Sequence, residues 1–256
     1  MQKTFTLLGA VCAPLLLASA VFSQEQNAPA PTPIVEIYAC NFNNNKDMND
    51  LHSVTTRWNA WADRNTTTDY TAFIGTPYLR SDDQPWDAIW LGGWPNGAAM
   101  GAGEAKWFAT GGDIQAQFDA VAKCPSHAHY AELVLWTPEG PPPKNGMARF
   151  RDCHVREGRT IPEAIAALRQ WGQYLADHGS KPFGAMLVPL EGLPADYDYD
   201  FKYVEGFDSI EALGHVTDVY TGGGFMRADQ LFGRLLDCNH PRVYGLELVR
   251  QAAQQQ

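Results

Sequence analysis

The chain repeats itself at the scale of a domain. Cys40 and Cys153 stand 113 residues apart, as do Trp58 and Trp171. Thr76-Pro77 resembles Val188-Pro189 at an offset of 112, Thr110-Gly111-Gly112 resembles Thr221-Gly222-Gly223 at 111, and Cys124 matches Cys238 at 114. A period this long exceeds a solenoid unit and matches a small domain. The sequence therefore predicts two copies of one domain, over 34–136 and 147–250, with a short tail at 251–256. A Pro-rich stretch at 137–146 reads as a stiff, extended linker between them.

The first residues read as an export signal. Lys3 supplies a positive start, Leu7 to Leu17 an apolar run, and Ala18-Ser19-Ala20 and Val21-Phe22-Ser23 small residues for cleavage. The run is too short for a membrane span. A bacterial signal peptide over 1–23 and a disordered leader over 24–33 are expected, which places the mature protein in the periplasm or medium. The formal charge of −10 argues against nucleic acid and anionic lipid as partners. Of five cysteines, Cys12 falls in the leader, and four remain. In an oxidising compartment these read as a disulfide framework. Of three possible pairings, only Cys40–Cys124 with Cys153–Cys238 keeps the halves equivalent. Each bridge then closes a loop of about 84 residues and adds roughly 3–5 kcal/mol. No CxxC or HxxxH spacing occurs, so no metal site and no cofactor are expected.

Each copy reads as β-α-β-β-α-β. In the first, strands are expected at 34–40, 70–75, 86–91 and 130–136. A helix starts after Asp47 and carries Leu51, Val54, Trp58 and Trp61 on one face, and two helical pieces flank Gly111-Gly112. In the second, strands are expected at 147–155, 183–190, 199–207 and 243–249. A capping box, Thr160-Ile161-Pro162-Glu163, opens its first helix. This order is the ferredoxin-like one. A four-stranded sheet with helices on one face leaves its other face bare; two copies in one chain can cover each other as a pseudo-dimeric barrel within a monomer.

In element order and size the chain resembles the dimeric α+β barrel superfamily, which includes small antibiotic-biosynthesis monooxygenases, stress-responsive barrel proteins and NIPSNAP-like proteins. The resemblance implies a cavity between sheet and helices, used in such barrels for cofactor-free oxygenation, cyclisation or decarboxylation.

Candidate site residues follow from strand faces. Glu36, Tyr38 and Cys40 share one face of the first strand; Arg149, Arg151 and Cys153 match them in the second copy. Glu36 is placed to meet Arg149 or Arg151 across a barrel interior, either as an ion pair that fixes register or as a pocket in which arginine clamps an anion. His154, which matches Asn41, is the candidate general base, or else a solvated strand-end residue. His127 and His129 read as turn residues after Cys124. Trp58 and Trp61 match Trp171 and Tyr174, and either fill cores or wall a cavity for a planar ligand. Two readings follow. The first is an exported small-molecule-binding protein acting as a cofactor-free enzyme on a small apolar or aromatic acid. The second is a non-enzymatic periplasmic interaction or stress protein with a solid core.

Overall fold

Among the described residues nine strands, all paired antiparallel, run in the order β7-β6-β4-β1-β3-β2-β9-β5-β8, and β7 also pairs with β5. That pairing closes an eight-stranded barrel, with β8 outside the ring on β5. The computed structural model describes residues 31–65, 69–82, 84–138 and 140–252, so the expected signal peptide lies outside the described residues. The elements are β1 (Ile34–Phe42), α1 (Met48–Arg64), β2 (Thr71–Leu79), β3 (Ala88–Trp94), α2 (Gly97–Thr110), α3 (Gly112–Val121), β4 (Ala122–Trp136), β5 (Asn145–Val155), α4 (Ile161–Asp177), β6 (Phe183–Glu191), β7 (Phe201–Phe207), α5 (Ile210–Val219), α6 (Phe225–Phe232), β8 (Leu236–Cys238) and β9 (Arg242–Arg250).

Local signals place the helices. The Asp47 carboxylate accepts from the backbone of Asn49 and Asp50, and Asp50 answers Asp47 in a capping box. Thr160 and Glu163 form the same device at α4, with Pro162 in the first turn. Past α4, Gly179 takes the left-handed φ of 80° that stops a helix without a Cβ penalty. Helix α2 starts at Gly97, earlier than the glycine content suggests, because the Asn96 side chain caps the amide of Ala99.

The first half orders its strands β4-β1-β3-β2 and the second β6-β7-β5-β9. They join through β2–β9 and β4–β6. Closure removes the sheet edges that an open sheet must protect. The interior draws on both halves: Val35, Ala39, Ile89, Ala128 and Tyr130 meet Ala148, Phe150, Leu187, Val204 and Tyr244. The helices cover the outer faces. Under α4 to α6, Trp171, Leu175, Phe201 and Phe207 form one cluster; under α1 to α3, Trp58, Trp61, Tyr70 and Trp94 form another. Among the described residues, no helix is long and apolar enough to cross a membrane.

The cysteines pair as Cys40–Cys124 and Cys153–Cys238, with S–S distances of 2.00 and 2.03 Å. The largest boundary difference from the sequence expectation is in β4. Strand β4 begins at Ala122 rather than Tyr130, and Pro125 is accommodated at a register shift opposite Cys40, where the ladder needs no amide from it.

Candidate functional site

The outer face of the first half holds a cavity of about 250 Å³ between the sheet and α1, α2 and α3. Trp58 and Trp61 from α1, Trp90 and Trp94 from β3, and Trp107 from α2 wall it, and Glu36, Tyr38 and Glu104 form its polar end. The rings meet edge to face: Trp58 on Trp90 at 5.0 Å and Trp61 on Trp107 at 4.9 Å.

Glu36 is the centre of that polar end and is only 6% exposed. Antiparallel register sets Glu36 opposite His129 and Tyr38 opposite His127. Glu36 Oε2 lies 2.9 Å from His127 Nε2 and 3.8 Å from His129 Nε2. The Tyr70 hydroxyl donates to Glu36 Oε1, and Trp90 Nε1 donates to Tyr70 at 2.7 Å. Tyr38 stacks on His127 with centroids 3.6 Å apart. Burial opposes ionisation of Glu36, but hydrogen bonding from His127, His129 and Tyr70 outweighs it and holds the carboxyl below its usual range. The neighbouring Glu36 carboxylate raises the His129 imidazole against the burial that lowers it, and Glu104 adds to the rise. Burial, reinforced by Glu36, lifts the Tyr38 phenol far above its ordinary value, so it stays neutral. The arrangement stores a buried carboxylate beside imidazoles, an apparatus suited to accepting and passing a proton.

The other expected site residues lie elsewhere. Arg149 and Arg151 do not meet Glu36. The face that carries Glu36 and the two arginines points outward to the helices, each set in its own half, while the alternate residues fill the barrel. The arginines instead bind Glu205, which is fully buried. Its Oε2 accepts from Arg149 Nε at 2.8 Å and from Arg151 Nη1 at 3.0 Å, and Arg149 Nη2 lies at 2.6 Å. An anion clamp is thereby already filled by the protein's own carboxylate. His154 sits on the opposite face of β5, half-exposed, with Nε2 3.4 Å from the exposed Asp198, and does not join the arginines. Trp171 stacks on Tyr174 at 5.4 Å within the core of the second half and does not line the cavity. Trp58 and Trp61 do line it. His215, away from the cavity, bonds Ser180 at 2.6 Å.

His127 and His129 are the residues that sequence reasoning placed in a turn. Their signal was the His-Ala-His spacing, which on a strand sets both rings on one face. A second cavity of about 600 Å³ opens at one end of the barrel interior, lined by Phe73, Phe150, Leu187, Val204, Leu246 and Glu132.

No protein-family model and no curated protein matches this sequence. Solved structures do match in fold. A proposed monooxygenase from Fusobacterium nucleatum is 8% identical, with a TM-score of 0.57 over 88% of this chain and 95% of that one. A mutant chlorite dismutase from Candidatus Nitrospira defluvii is 6% identical, with a TM-score of 0.53 over 86% and 93%. A haem-binding protein from Thermus thermophilus is 11% identical, with a TM-score of 0.52 over 84% and 91%. These neighbours are dimeric α+β barrel-type proteins, and the likeness establishes the fold.

Proposed function

We propose that the protein is an exported, monomeric enzyme that binds a small planar molecule in the sheet–helix cavity of the first half and removes a proton from it. One observation carries this reading: an aromatic cavity that ends on a buried carboxylate hydrogen-bonded to histidine. The tryptophan walls select a flat apolar body. The Glu36–His127 pair takes a proton from an acidic O–H or C–H group of the ligand, and Tyr38 and Tyr70 hold the pair in place. The base is therefore assigned to Glu36 and His127 rather than to His154.

The same geometry revises the expected substrate. Glu36, Glu104 and Asp119 line the cavity, and a ligand carboxylate is repelled there. A neutral or cationic aromatic such as a phenol fits better than an aromatic acid. Oxygenation and cyclisation, which begin by ionising the substrate, fit that cavity; decarboxylation does not. The two disulfides suit an oxidising compartment. The matching strand orders and registers of the halves support an ancient tandem duplication of a ferredoxin-like unit, with the pseudo-dimer closed inside one chain.

Haem, which one structural neighbour binds, does not suit these residues. The first-half cavity is small for a macrocycle, and its polar end is acidic where propionates need cations. The one histidine on α1 to α3, His52, pairs with Glu247 at 3.0 Å.

Titration with 2-naphthol, followed by tryptophan fluorescence, tests the reading. Saturable quenching is expected, weakened about tenfold or more in Glu36→Gln through loss of a charged acceptor. Absence of saturable quenching by neutral and cationic planar probes alike refutes it.

A further inference from the structure

We infer that Glu36, His127 and His129 together form a binding site for a divalent transition-metal ion. The inference goes beyond the cavity's organic ligand and stands whether or not one enters.

The three donors come from adjacent strands. His127 and His129 are two residues apart on β4 and share its outer face, and β1 presents Glu36 directly opposite His129. One donor atom from each residue lies within 4.8 Å of the other two. Bonds of about 2.0–2.2 Å set donor atoms about 2.8–3.6 Å apart around an octahedral or tetrahedral ion. The Glu36–His127 separation of 2.9 Å already meets this, and the Glu36–His129 separation of 3.8 Å needs only a small turn of one side chain.

A second observation points to a ligand. His129 is 9% exposed, and its buried Nε2 faces this cluster with the carboxylates of Glu104 at 3.3 Å and Glu36 at 3.8 Å but no well-aligned hydrogen bond to either. A buried polar atom left in that state is costly unless something engages it. Glu104 Oε1, 3.3 Å from the same nitrogen, stands where a fourth protein ligand or a partner for bound water belongs.

The surroundings hold the donors as outer groups of a metal site do. Tyr70 occupies Glu36 Oε1 and leaves Oε2 for the ion. Glu191 Oε2 lies 3.6 Å from His129 Nδ1, the side away from the cluster. Tyr38 fixes the ring plane of His127 by stacking. The His127 side chain is 37% exposed, so an ion has a way in. Two imidazoles and one carboxylate suit zinc, iron(II) or cobalt(II) better than calcium or magnesium, which take oxygen ligands. The fold does not force this set: register places Arg149 and Val243 in the second half where Glu36 and His129 stand in the first.

The test uses the full mature chain with its disulfides intact, stripped by chelator and titrated with Zn(II) by calorimetry and with Co(II) by visible absorption. Expected is one equivalent bound with a Kd of roughly micromolar or tighter and Co(II) ligand-field bands characteristic of mixed nitrogen and oxygen donors. His127→Ala, at the exposed donor, weakens binding by about 100-fold or more, and Tyr70→Phe by about 10–100-fold. His154→Ala, in the unrelated pair with Asp198, binds as the parent does. No saturable Zn(II) or Co(II) binding, or binding unchanged in His127→Ala, overturns the inference. Running 2-naphthol quenching on the same stripped sample separates the two claims, because the cavity can bind the probe while the metal site fails.

Discussion

The two halves agree in strand order, register and disulfide, yet part company at one spot on the outer sheet face. In the first half β1 presents Glu36 opposite Gly92, and the missing side chain at Gly92 is replaced by the Tyr70 hydroxyl. In the second half β5 presents Arg149 opposite Glu205, and a second arginine, Arg151, completes the neutralisation. The second half has closed its polar groups on each other and packed aromatics over them. The first half keeps an acid that faces histidines and open space. A barrel of this kind is held by its interior and its disulfides; the polar centre on the outer face is free to diverge, closed on an ion pair in one half and left as an acid beside histidines in the other.

The largest effects test whether the halves are equivalent as scaffolds. Replacing both cysteines of either bridge by serine is expected to cost about 4–5 kcal/mol, since the loops of 84 and 85 residues are nearly the same. Denaturant unfolding of the two double variants checks this, and losses that differ by several kcal/mol show that one half dominates folding.

The polar centres should then behave unequally. Glu205→Ala leaves two largely buried guanidinium groups without a counter-charge and is expected to cost about 3–5 kcal/mol. Glu36→Gln costs about 1–2 kcal/mol, because its partner His127 reaches solvent, while probe binding weakens about tenfold or more and metal binding weakens with it. Equal stability losses from the two changes dissolve the distinction between a structural and a functional acid.

Much of this scaffold could be read in the sequence, and the reasons are local. Cysteine and tryptophan spacing marked the halves, and Asp47 and Thr160 marked helix starts. The polar centre was half legible. Alternation put Glu36 with Tyr38 and Arg149 with Arg151, but both faces of β1 are largely apolar, so alternation could not say which faced the barrel. That ambiguity paired Glu36 with the wrong partners. Glu205, the true partner, lies 54 to 56 residues from the arginines along the chain, and only strand pairing joins them. His127 and His129 read as turn residues after Cys124, but β4 already starts at Ala122 and tolerates Pro125 at a register shift beside the disulfide.

Gly92 offers an intermediate effect. A Cβ there overlaps the Tyr70 hydroxyl, so Gly92→Ala must displace the tyrosine that orients Glu36. An expected loss of about 2–3 kcal/mol in stability accompanies weaker probe and metal binding. Unchanged binding shows that Tyr70 is not what holds Glu36.

The smallest effect lies inside the barrel, where the first half again carries an acid and the second does not. Glu132 on β4 matches Leu246 on β9 by the offset that relates Cys124 to Cys238, and both line the interior cavity. Burial raises the Glu132 carboxyl from 4.5 to about 7. The folded protein then holds a proton that the unfolded chain has released between those two values. Stability therefore falls as pH rises from about 4.5 to about 7 and levels off above, since the unfolded state binds fewer protons in that window. Partial exposure at the cavity mouth reduces the expected fall to about 1–2 kcal/mol. Glu132→Gln should remove this part of the slope and raise stability at pH 8 by the same amount, measured by urea unfolding across pH. An unaltered slope in that variant means that water reaches Glu132 freely, and that the halves do not differ in the polarity of their shared interior.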